Sequence, residues 1–570
     1  MKAESPNDAM RPNRRAGDAV TILLVCGVFV LYSFCRVPIP GVNEPHYLCK
    51  ARAFYDAQWC SRDHFLHSAN AHVVFFAFIG AAAQVLPFAI VAIVGRIISL
   101  TLFGLALVAL GRRLSLSSWA IVFAACCFCG IAMTGNFSGE WVVGGLEGKV
   151  AAYGFALLAM SFWLDALRAG SRRRYAASGV CAGLSVACHP VVGLWFCIGI
   201  ALSEAAMFPF RGVRSEGTHK RNVTALVLDG LSFAAAAFVV SLPGLVPALL
   251  LLTSGDTPVA RIERANYVQV FWRLAHHLDP GTFPARAWIH TSVLSCVCIA
   301  GFVGLRKLMT QPTRPSAWRP CLYLLAASAI IAATGVVVGW HSGLASNMPD
   351  WQWRAAVLKF YPFRLFDALL PITTSLVIAG IVDTIVRQRG ERHGIQETIP
   401  ESAATGRPNR RGNSLLAAVT LMSACLVIIA ALWLRPMAPA GYSRKHFVDW
   451  KSACDWVRHN TPPDALVFTP RESFAFKWFA ERAEYVCIKD CPQDTQGILG
   501  WNQRLWTIHD WANESFQDGR FDDVDLQRLR RQTGCNYVLT RRLGPFEATP
   551  VFRNDIWRVY EIPDRDSAVR

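Results

Sequence analysis

The chain has 570 residues, of which 53% are hydrophobic and 17% are charged, and its mean hydropathy is +0.30. Soluble domains carry about 25% charged residues, so this composition excludes an ordinary soluble protein and predicts that much of the chain lies in a lipid bilayer. The formal net charge is +17, but the Lys and Arg residues fall in short segments between apolar stretches. This is the positive-inside pattern of membrane proteins, which argues against a nucleic-acid partner.

The chain begins with a polar, basic tail over residues 1–19, and an apolar stretch follows from Val20. Because no small-residue cleavage site comes after it, we interpret this stretch as an uncleaved membrane anchor rather than a signal peptide. The basic flank predicts that the tail is cytoplasmic.

Eleven transmembrane helices within residues 20–438 would place all the remaining basic groups in the cytoplasm. Most of the apolar stretches approach the roughly 20 residues that cross ~30 Å of hydrocarbon. An odd number of spans puts residues 439–570 outside the cytoplasm. The basic groups lie at 112–113, 168–174, 211–221, 306–319 and 387–411. The predicted spans are 20–38, 88–111, 117–134, 149–167, 175–188, 192–209, 226–252, 289–305, 320–339, 363–386 and 415–434.

Two segments need a special interpretation. Residues 71–87 are apolar, but a crossing there would invert every later span, so we predict a helix that lies in the interface or re-enters the membrane. The two spans around His189-Pro190 are short, which favours a tilted or broken hairpin. With this topology the polar loops share one side of the membrane: 39–70, 135–148, 189–191, 254–288 and 340–362.

The first of these loops carries a carboxylate close to the membrane and a group of acidic and imidazole side chains. Glu44 follows the first span by about six residues, where it could act as a base; a solvated loop glutamate is the alternative. Asp63 lies near His64 and His67, with His46 and His72 also close, and such side chains could hold a divalent metal. No tight zinc signature is present, so capping and interfacial hydrogen bonds are the favoured interpretation.

The later outer loops add charges at the membrane boundary. Glu147 and Lys149 enter the fourth span, where charges are costly enough to indicate function; a pair that reaches back to water is the alternative. His189 ends a span and could be a hydrogen-bonding histidine or a ligand. Lys359, Tyr361 and Arg364 stand at the mouth of the tenth span, and loop 254–288 adds the three arginines Arg261, Arg264 and Arg273.

Cations on the outer side suit an anionic head group, since guanidinium groups match phosphate oxygens in pairs. The candidate substrate-binding residues are therefore His46, His67, Lys149, His189, Lys359, Tyr361 and Arg364.

The region after about residue 439 has a soluble composition, and its pattern alternates between helix and strand. This alternation predicts a small α/β domain. The predicted helices are 447–459, 473–480, 496–511 and 524–532, and the predicted strands are 465–469, 484–489, 536–540 and 557–562.

Most of the 18 cysteines lie in apolar spans, where they are expected to pack as small residues. Cys49 with Cys60 and Cys487 with Cys491 would close the shortest outer disulfides, although connectivity does not follow from sequence. No Walker, dinucleotide-binding or HExxH motif is present, which argues against an ATP-driven pump and a zinc protease.

Together these features resemble the GT-C glycosyltransferase superfamily, whose members take sugars from polyprenyl-phosphate carriers. The resemblance implies that Glu44 occupies the position of the superfamily's first-loop carboxylate, with Asn43 in place of a second acidic residue. The chain is still more similar to an uncharacterised bacterial family. The shared motifs are residues 43–48, 63–66, 145–149, 189–193, 360–364 and 460–465.

The resemblance implies an inverting glycosyltransferase in the inner (plasma) membrane, with a polyprenyl-linked sugar donor drawn from the bilayer. Glu44 would deprotonate or orient the acceptor hydroxyl, with help from Asp63 or Glu147 and an optional divalent metal. Arg364, Lys359 and Lys149 would stabilise the departing phosphate. The alternative is a non-catalytic transporter or flippase that binds an anionic lipid or solute; the lack of an internal repeat in the sequence favours the enzyme.

Overall fold

The predicted fold class is confirmed by the computed structural model, in which a large helical region precedes a small α/β domain. The model describes residues 11–211, 223–253, 257–309, 317–396 and 410–563. Residues 1–10 of the predicted tail lie outside these ranges. So do residues 212–221, 310–316 and 397–409 of the predicted basic segments.

Nine helices of the described ranges are long and apolar enough to cross a membrane. Each has at least 20 residues, which at 1.5 Å per residue spans the hydrocarbon. They are Gly17–Arg36, Phe88–Arg113, Gly148–Ala169, Pro190–Pro209, Val223–Leu250, Ala285–Leu308, Trp318–Gly339, Arg364–Arg389 and Ser414–Trp433.

The two other predicted spans are also helices, but they are shorter. Helix α5 (Ser118–Met133) has 16 residues and α7 (Arg172–Cys188) has 17. The apolar segment 71–87 forms α3 (Val73–Val85), whose 13 residues measure about 20 Å and are too short to cross. The remaining helices before residue 439 are α1 (Arg11–Arg36), α2 (Glu44–Tyr55), α4 (Phe88–Arg113), α6 (Gly148–Ala169), α8 (Pro190–Arg211), α9 (Val223–Leu250), α10 (Val259–Tyr267), α11 (Ala275–Leu278), α12 (Ala285–Leu308), α13 (Trp318–Gly339), α14 (Trp351–Leu358), α15 (Arg364–Gln396) and α16 (Arg410–Trp433).

Helices α7 and α9 pack closely because glycines line their contact. A methyl group on Gly179 would lie 2.3 Å from the Phe233 carbonyl oxygen, and one on Gly183 would lie 2.6 Å from that of Ala237. Small residues four apart let membrane helices approach backbone to backbone. The two glycines of α7 thus permit its close contact with α9.

The C-terminal domain carries one mixed sheet in the order β2-β1-β3-β5-β4. Strand β1 runs parallel to β2 and β3, whereas β5 runs antiparallel to β3 and β4. The four predicted helices and three of the four predicted strands are present, and the strand predicted at 484–489 is reduced to the two residues of β2. Strand β4 was not predicted. The elements are α17 (Arg444–Asn460), β1 (Leu466–Phe468), α18 (Phe476–Ala480), β2 (Ala483–Glu484), α19 (Thr495–Ser515), α20 (Asp523–Thr533), β3 (Tyr537–Thr540), β4 (Phe552–Arg553) and β5 (Arg558–Glu561).

The domain shares a hydrophobic core with the first outer loop. Leu48 of α2 and Phe65 pack in one buried cluster with Trp501 of α19, and the Phe88 and Trp478 rings stack with centroids 5.1 Å apart. Loop 39–70 is therefore a docking platform for the C-terminal domain. All 18 cysteines are free thiols, so neither short disulfide is formed.

Candidate functional site

Two carboxylates and two cations meet where α6 and α15 begin. Lys149 Nζ lies 3.2 Å from Glu147 Oε2 and 3.7 Å from Glu140 Oε2, and Arg364 Nε lies 3.1 Å from Glu140 Oε2. We call Glu140, Glu147, Lys149 and Arg364 the ion cluster. All four side chains are buried or nearly so, which strengthens their mutual attraction.

The second outer loop takes its shape from Asp367, one turn after Arg364 in α15. The Asp367 carboxylate accepts hydrogen bonds from Phe137 N at 2.8 Å, from Ser138 N at 2.7 Å and from the Ser138 hydroxyl at 2.6 Å. This fixes the loop beside α15 and brings Glu140 to Arg364. The Tyr153 hydroxyl also lies 3.2 Å from Glu140 Oε1.

Two neutral histidines stand beside the cluster. Arg364 Nη1 donates to His189 Nε2 at 3.1 Å, so that nitrogen must carry a lone pair. Burial, His72 and Arg364 hold the pKa of His189 well below its ordinary value. The His72 ring lies 4.7 Å from that of His189, and burial together with Arg364 lowers the pKa of His72 to about 3.

Tyr361 also joins the cluster, because the Arg364 guanidinium lies 4.0 Å from the centroid of its ring. Lys359 instead donates to Asn266 at 3.2 Å, and His67 is exposed with Nε2 3.3 Å from the Cys60 carbonyl oxygen. Of the predicted residues, the structure thus brings together Glu147, Lys149, His189, Tyr361 and Arg364.

Glu44 has a different environment from the one predicted. Its carboxylate is fully buried and holds Arg96 in a fork, with Nε to Oε1 at 2.6 Å and Nη2 to Oε2 at 2.8 Å. Leu146 N donates to Oε1 at 2.8 Å and Gly41 N to Oε2 at 2.6 Å.

These four bonds fill the roughly four lone-pair sites of the carboxylate. Glu44 therefore has no free face for an acceptor hydroxyl, which argues against a role as the base and for a structural role. Its carboxylate instead holds the backbone of Leu146, the residue just before Glu147. The signal for this pair was Arg96, a lone charge within an apolar span, which the sequence interpretation overlooked.

Asp63 also lies outside the ion cluster, because it belongs to a second buried group at the domain junction. Lys477 Nζ lies 2.5 Å from Asp490 Oδ2, 2.6 Å from Glu484 Oε1 and 3.4 Å from Asp63 Oδ2. We call these four residues the Lys477 cluster. Burial alone would lower the pKa of Lys477, but the three carboxylates raise it well above its ordinary value.

His46 binds the same group, with Nδ1 2.8 Å from Asp490 Oδ1. Its ring also packs against that of Phe65, with centroids 4.3 Å apart. The structure therefore places two predicted site residues, Asp63 and His46, at the contact between the first outer loop and the C-terminal domain.

Three potential metal ligands, Glu484, Cys487 and Asp490, have ligand atoms within 4.8 Å of one another. The Lys477 ammonium already pairs with both the Glu484 and the Asp490 carboxylate. The second Glu484 oxygen accepts from the Thr469 and Ser473 hydroxyls, both at 2.8 Å. The three residues thus form a possible metal site, and an ion there would have to displace the Lys477 ammonium from the two carboxylates.

The imidazoles of the first loop make hydrogen bonds, which was the favoured interpretation of this loop. His64 Nε2 lies 2.9 Å from the Gly497 carbonyl oxygen, while His46 and His67 have the separate partners given above. His46 thus shares the Lys477 cluster with Asp63, whereas His64 and His67 are bonded to backbone carbonyls.

A family model described as a domain of unknown function (DUF6798) matches residues 448–508. A search of the curated proteins gives no match.

Three solved structures of glycosyl-transferring proteins are similar to the chain. The arabinofuranosyltransferase AftD from Mycobacteria is 15% identical with a TM-score of 0.46, over 99% of this chain and 42% of AftD. The Archaeoglobus fulgidus oligosaccharyltransferase, solved in complex with Zn and sulfate, is 13% identical with a TM-score of 0.42, over 91% and 67%. The arabinosyltransferase EmbB from Mycobacterium smegmatis is 12% identical with a TM-score of 0.38, over 97% and 46%.

The chain spans less than half of the length of AftD and of EmbB. These likenesses concern the path of the chain and say nothing of its substrates.

Proposed function

We propose that the protein is a membrane glycosyltransferase that moves a sugar from a polyprenyl-phosphate carrier to an acceptor hydroxyl at the outer face of the inner membrane. The observation that carries the proposal is the ion cluster, which joins a candidate base to phosphate-binding cations at the ends of two membrane helices. Glu147 and Arg364 are linked there through Lys149 and Glu140.

Glu147 is the better base of the two carboxylates. Glu140 is shared between Arg364, Lys149 and the Tyr153 hydroxyl, so its oxygens are already occupied by three donors. Glu147 has one cation at 3.2 Å and a neutral amide, Asn43 Nδ2, at 3.0 Å. It also keeps 10% of its side chain exposed, against 4% for Glu140.

The cations suit a departing phosphate. Beside Lys149 and Arg364, Lys489 adjoins the cluster, since its ammonium donates to Asn43 Oδ1 and Asn43 Nδ2 donates to Glu147 Oε1. Three cations, Lys149, Arg364 and Lys489, then stand beside the two carboxylates Glu140 and Glu147. An excess of positive charge in a buried site stabilises negative charge that develops during reaction.

In the proposed reaction the acceptor oxygen forms a bond to the anomeric carbon as the bond from that carbon to the carrier phosphate breaks. The acceptor proton passes to the Glu147 carboxylate. Charge then grows on the phosphate, where Arg364 and Lys149 hold it. Tyr361 keeps the Arg364 guanidinium in place through its ring.

The test is a transfer assay on Glu147→Gln, which keeps size and hydrogen bonding but removes basicity. Loss of a general base lowers the rate on the order of 10²–10⁴-fold. Membranes containing the parent or the variant would be supplied with radiolabelled polyprenyl-phosphate sugars. Glu514→Gln, which removes an exposed carboxylate from α19, is the matched control and should transfer at the parent rate.

Equal transfer by Glu147→Gln and the parent would remove Glu147 as the base. Binding of the carrier with no transfer by the parent itself would favour the transporter or flippase.

A further inference from the structure

We infer that the C-terminal domain completes the membrane site through Lys489, a positioning residue that orients Glu147 by way of Asn43. The inference rests on the proposed function for the meaning of Glu147. It deepens that proposal, because a site formed by the membrane helices alone would lack this support.

The contact runs through one side-chain amide. Lys489 Nζ donates to Asn43 Oδ1, and Asn43 Nδ2 donates to Glu147 Oε1 at 3.0 Å. An ammonium can only donate and a carboxylate can only accept, so the amide between them has one orientation that satisfies both. Asn43 is thereby the link between the domain and Glu147, at the position where the resemblance implied a missing acidic residue.

The polypeptide is held in place on both sides of Lys489. Arg273 Nε donates to the Ile488 carbonyl at 2.6 Å, and its Nη2 donates to the Lys489 carbonyl at 3.0 Å. The next residue, Asp490, is anchored by Lys477 at 2.5 Å and by His46 at 2.8 Å. Arg273 and His46 hold the backbone of 488–490 against the membrane region, while Lys477 ties it within the C-terminal domain. The ammonium therefore has little freedom to leave Asn43.

The consequence for Glu147 is directional. Glu147 Oε2 faces Lys149. Without the hydrogen bond from Asn43, the carboxylate could rotate so that both of its oxygens face that cation. The amide bond on Oε1 holds both oxygens in fixed directions, which a base needs because a displacement of about 1 Å can cost 10²-fold in rate. Glu147 is thus held in its orientation only when the C-terminal domain is docked.

The experiment compares Lys489→Met, Asn43→Leu and the double variant in the full-length protein. Lys489→Met keeps chain length and removes the donor. We expect kcat to fall on the order of 10-fold or more with KM for the polyprenyl-phosphate sugar within about twofold of the parent. Because the two residues act in series, the double variant should be no slower than Asn43→Leu alone. Lys489→Arg, which retains a donor, should recover most of the rate.

A second readout does not need activity. Carboxylate labelling with a carbodiimide and glycine ethyl ester, followed by mass spectrometry, reports how free Glu147 is. Labelling of Glu147 should rise several-fold in Lys489→Met and Asn43→Leu. The control Lys445→Met, which breaks an exposed ion pair with Asp555 in the same domain, should leave it unchanged.

Unchanged labelling of Glu147 in both variants would overturn the inference, and so would losses in kcat that multiply in the double variant. The two proposals fail separately. If the parent transfers no sugar, the proposed function falls while labelling still decides the role of Lys489. If Glu147→Gln abolishes transfer but Lys489→Met has the parent kcat and labelling, only the inference falls.

Discussion

At the scale of single residues, the pair of Glu44 and Arg96 shows how a buried charge depends on its partner. Both side chains are fully buried, and removing one partner of such a pair costs about 3–5 kcal/mol. We expect Arg96→Met to lower the thermal midpoint sharply in detergent, because Glu44 is left uncompensated. The double variant Glu44→Leu with Arg96→Met should recover much of the loss.

Thermal unfolding followed by tryptophan fluorescence would measure this. An Arg96→Met variant as stable as the parent would show that the pair does not hold the first loop. Arg112→Met is the matched control, since Arg112 sits at the end of the same helix and is partly exposed.

At the scale of elements, the contact of α7 with α9 is the clearest case of sequence dictating packing. Gly183→Val would place side-chain atoms against the Ala237 carbonyl oxygen. The Cβ atom alone would lie 2.6 Å from that oxygen. Overpacking typically costs 1–3 kcal/mol, and small residues are what lets membrane helices associate. Gly230→Val is the control, because no atom lies within 4 Å of that position.

The expected result is a lower thermal midpoint and less monodisperse protein by size-exclusion chromatography for Gly183→Val than for Gly230→Val. Equal behaviour of the two variants would mean that α7 and α9 do not need close contact.

Elements were predictable where local pattern decides them. The outer helices follow their caps: the Ser443 hydroxyl accepts from His446 N at 3.2 Å at the start of α17, and Asp522 forms a capping box with Asp525 at the start of α20. Each apolar run became a helix. Strand β4, of two residues, was missed because it depends on pairing with β5 rather than on any pattern of its own.

The site was predictable only in part. Glu147, Lys149, His189 and Arg364 stand out as polar residues at span ends, and the structure brings them together. Their partner Glu140 and the supporting Asp367 could not be paired from sequence, since the contact joins residues more than 200 positions apart. Asp63 and Lys477 lie still farther apart along the chain, so their contact could not be predicted from the sequence either.

At the scale of the whole molecule, the docked C-terminal domain must lie on the same side of the membrane as the ion cluster. The positive-inside pattern predicts that this side is extracytoplasmic. Alkaline phosphatase fused after residue 440 should be active, whereas the same enzyme fused after residue 114, beside the Arg112-Arg113 pair, should be inactive. Activity of the second fusion alone would invert the topology and place the donor in the cytoplasmic leaflet.

The most direct test of glycosyl transfer is lipid mass spectrometry of the purified protein incubated with a polyprenyl-phosphate sugar. It counts the bound donor and the released polyprenyl phosphate in one experiment. The account predicts that the parent binds the donor and releases polyprenyl phosphate, while Glu147→Gln binds the donor to the same extent and releases on the order of 10²-fold less. Donor bound without release by the parent, or equal release by the parent and Glu147→Gln, would contradict it.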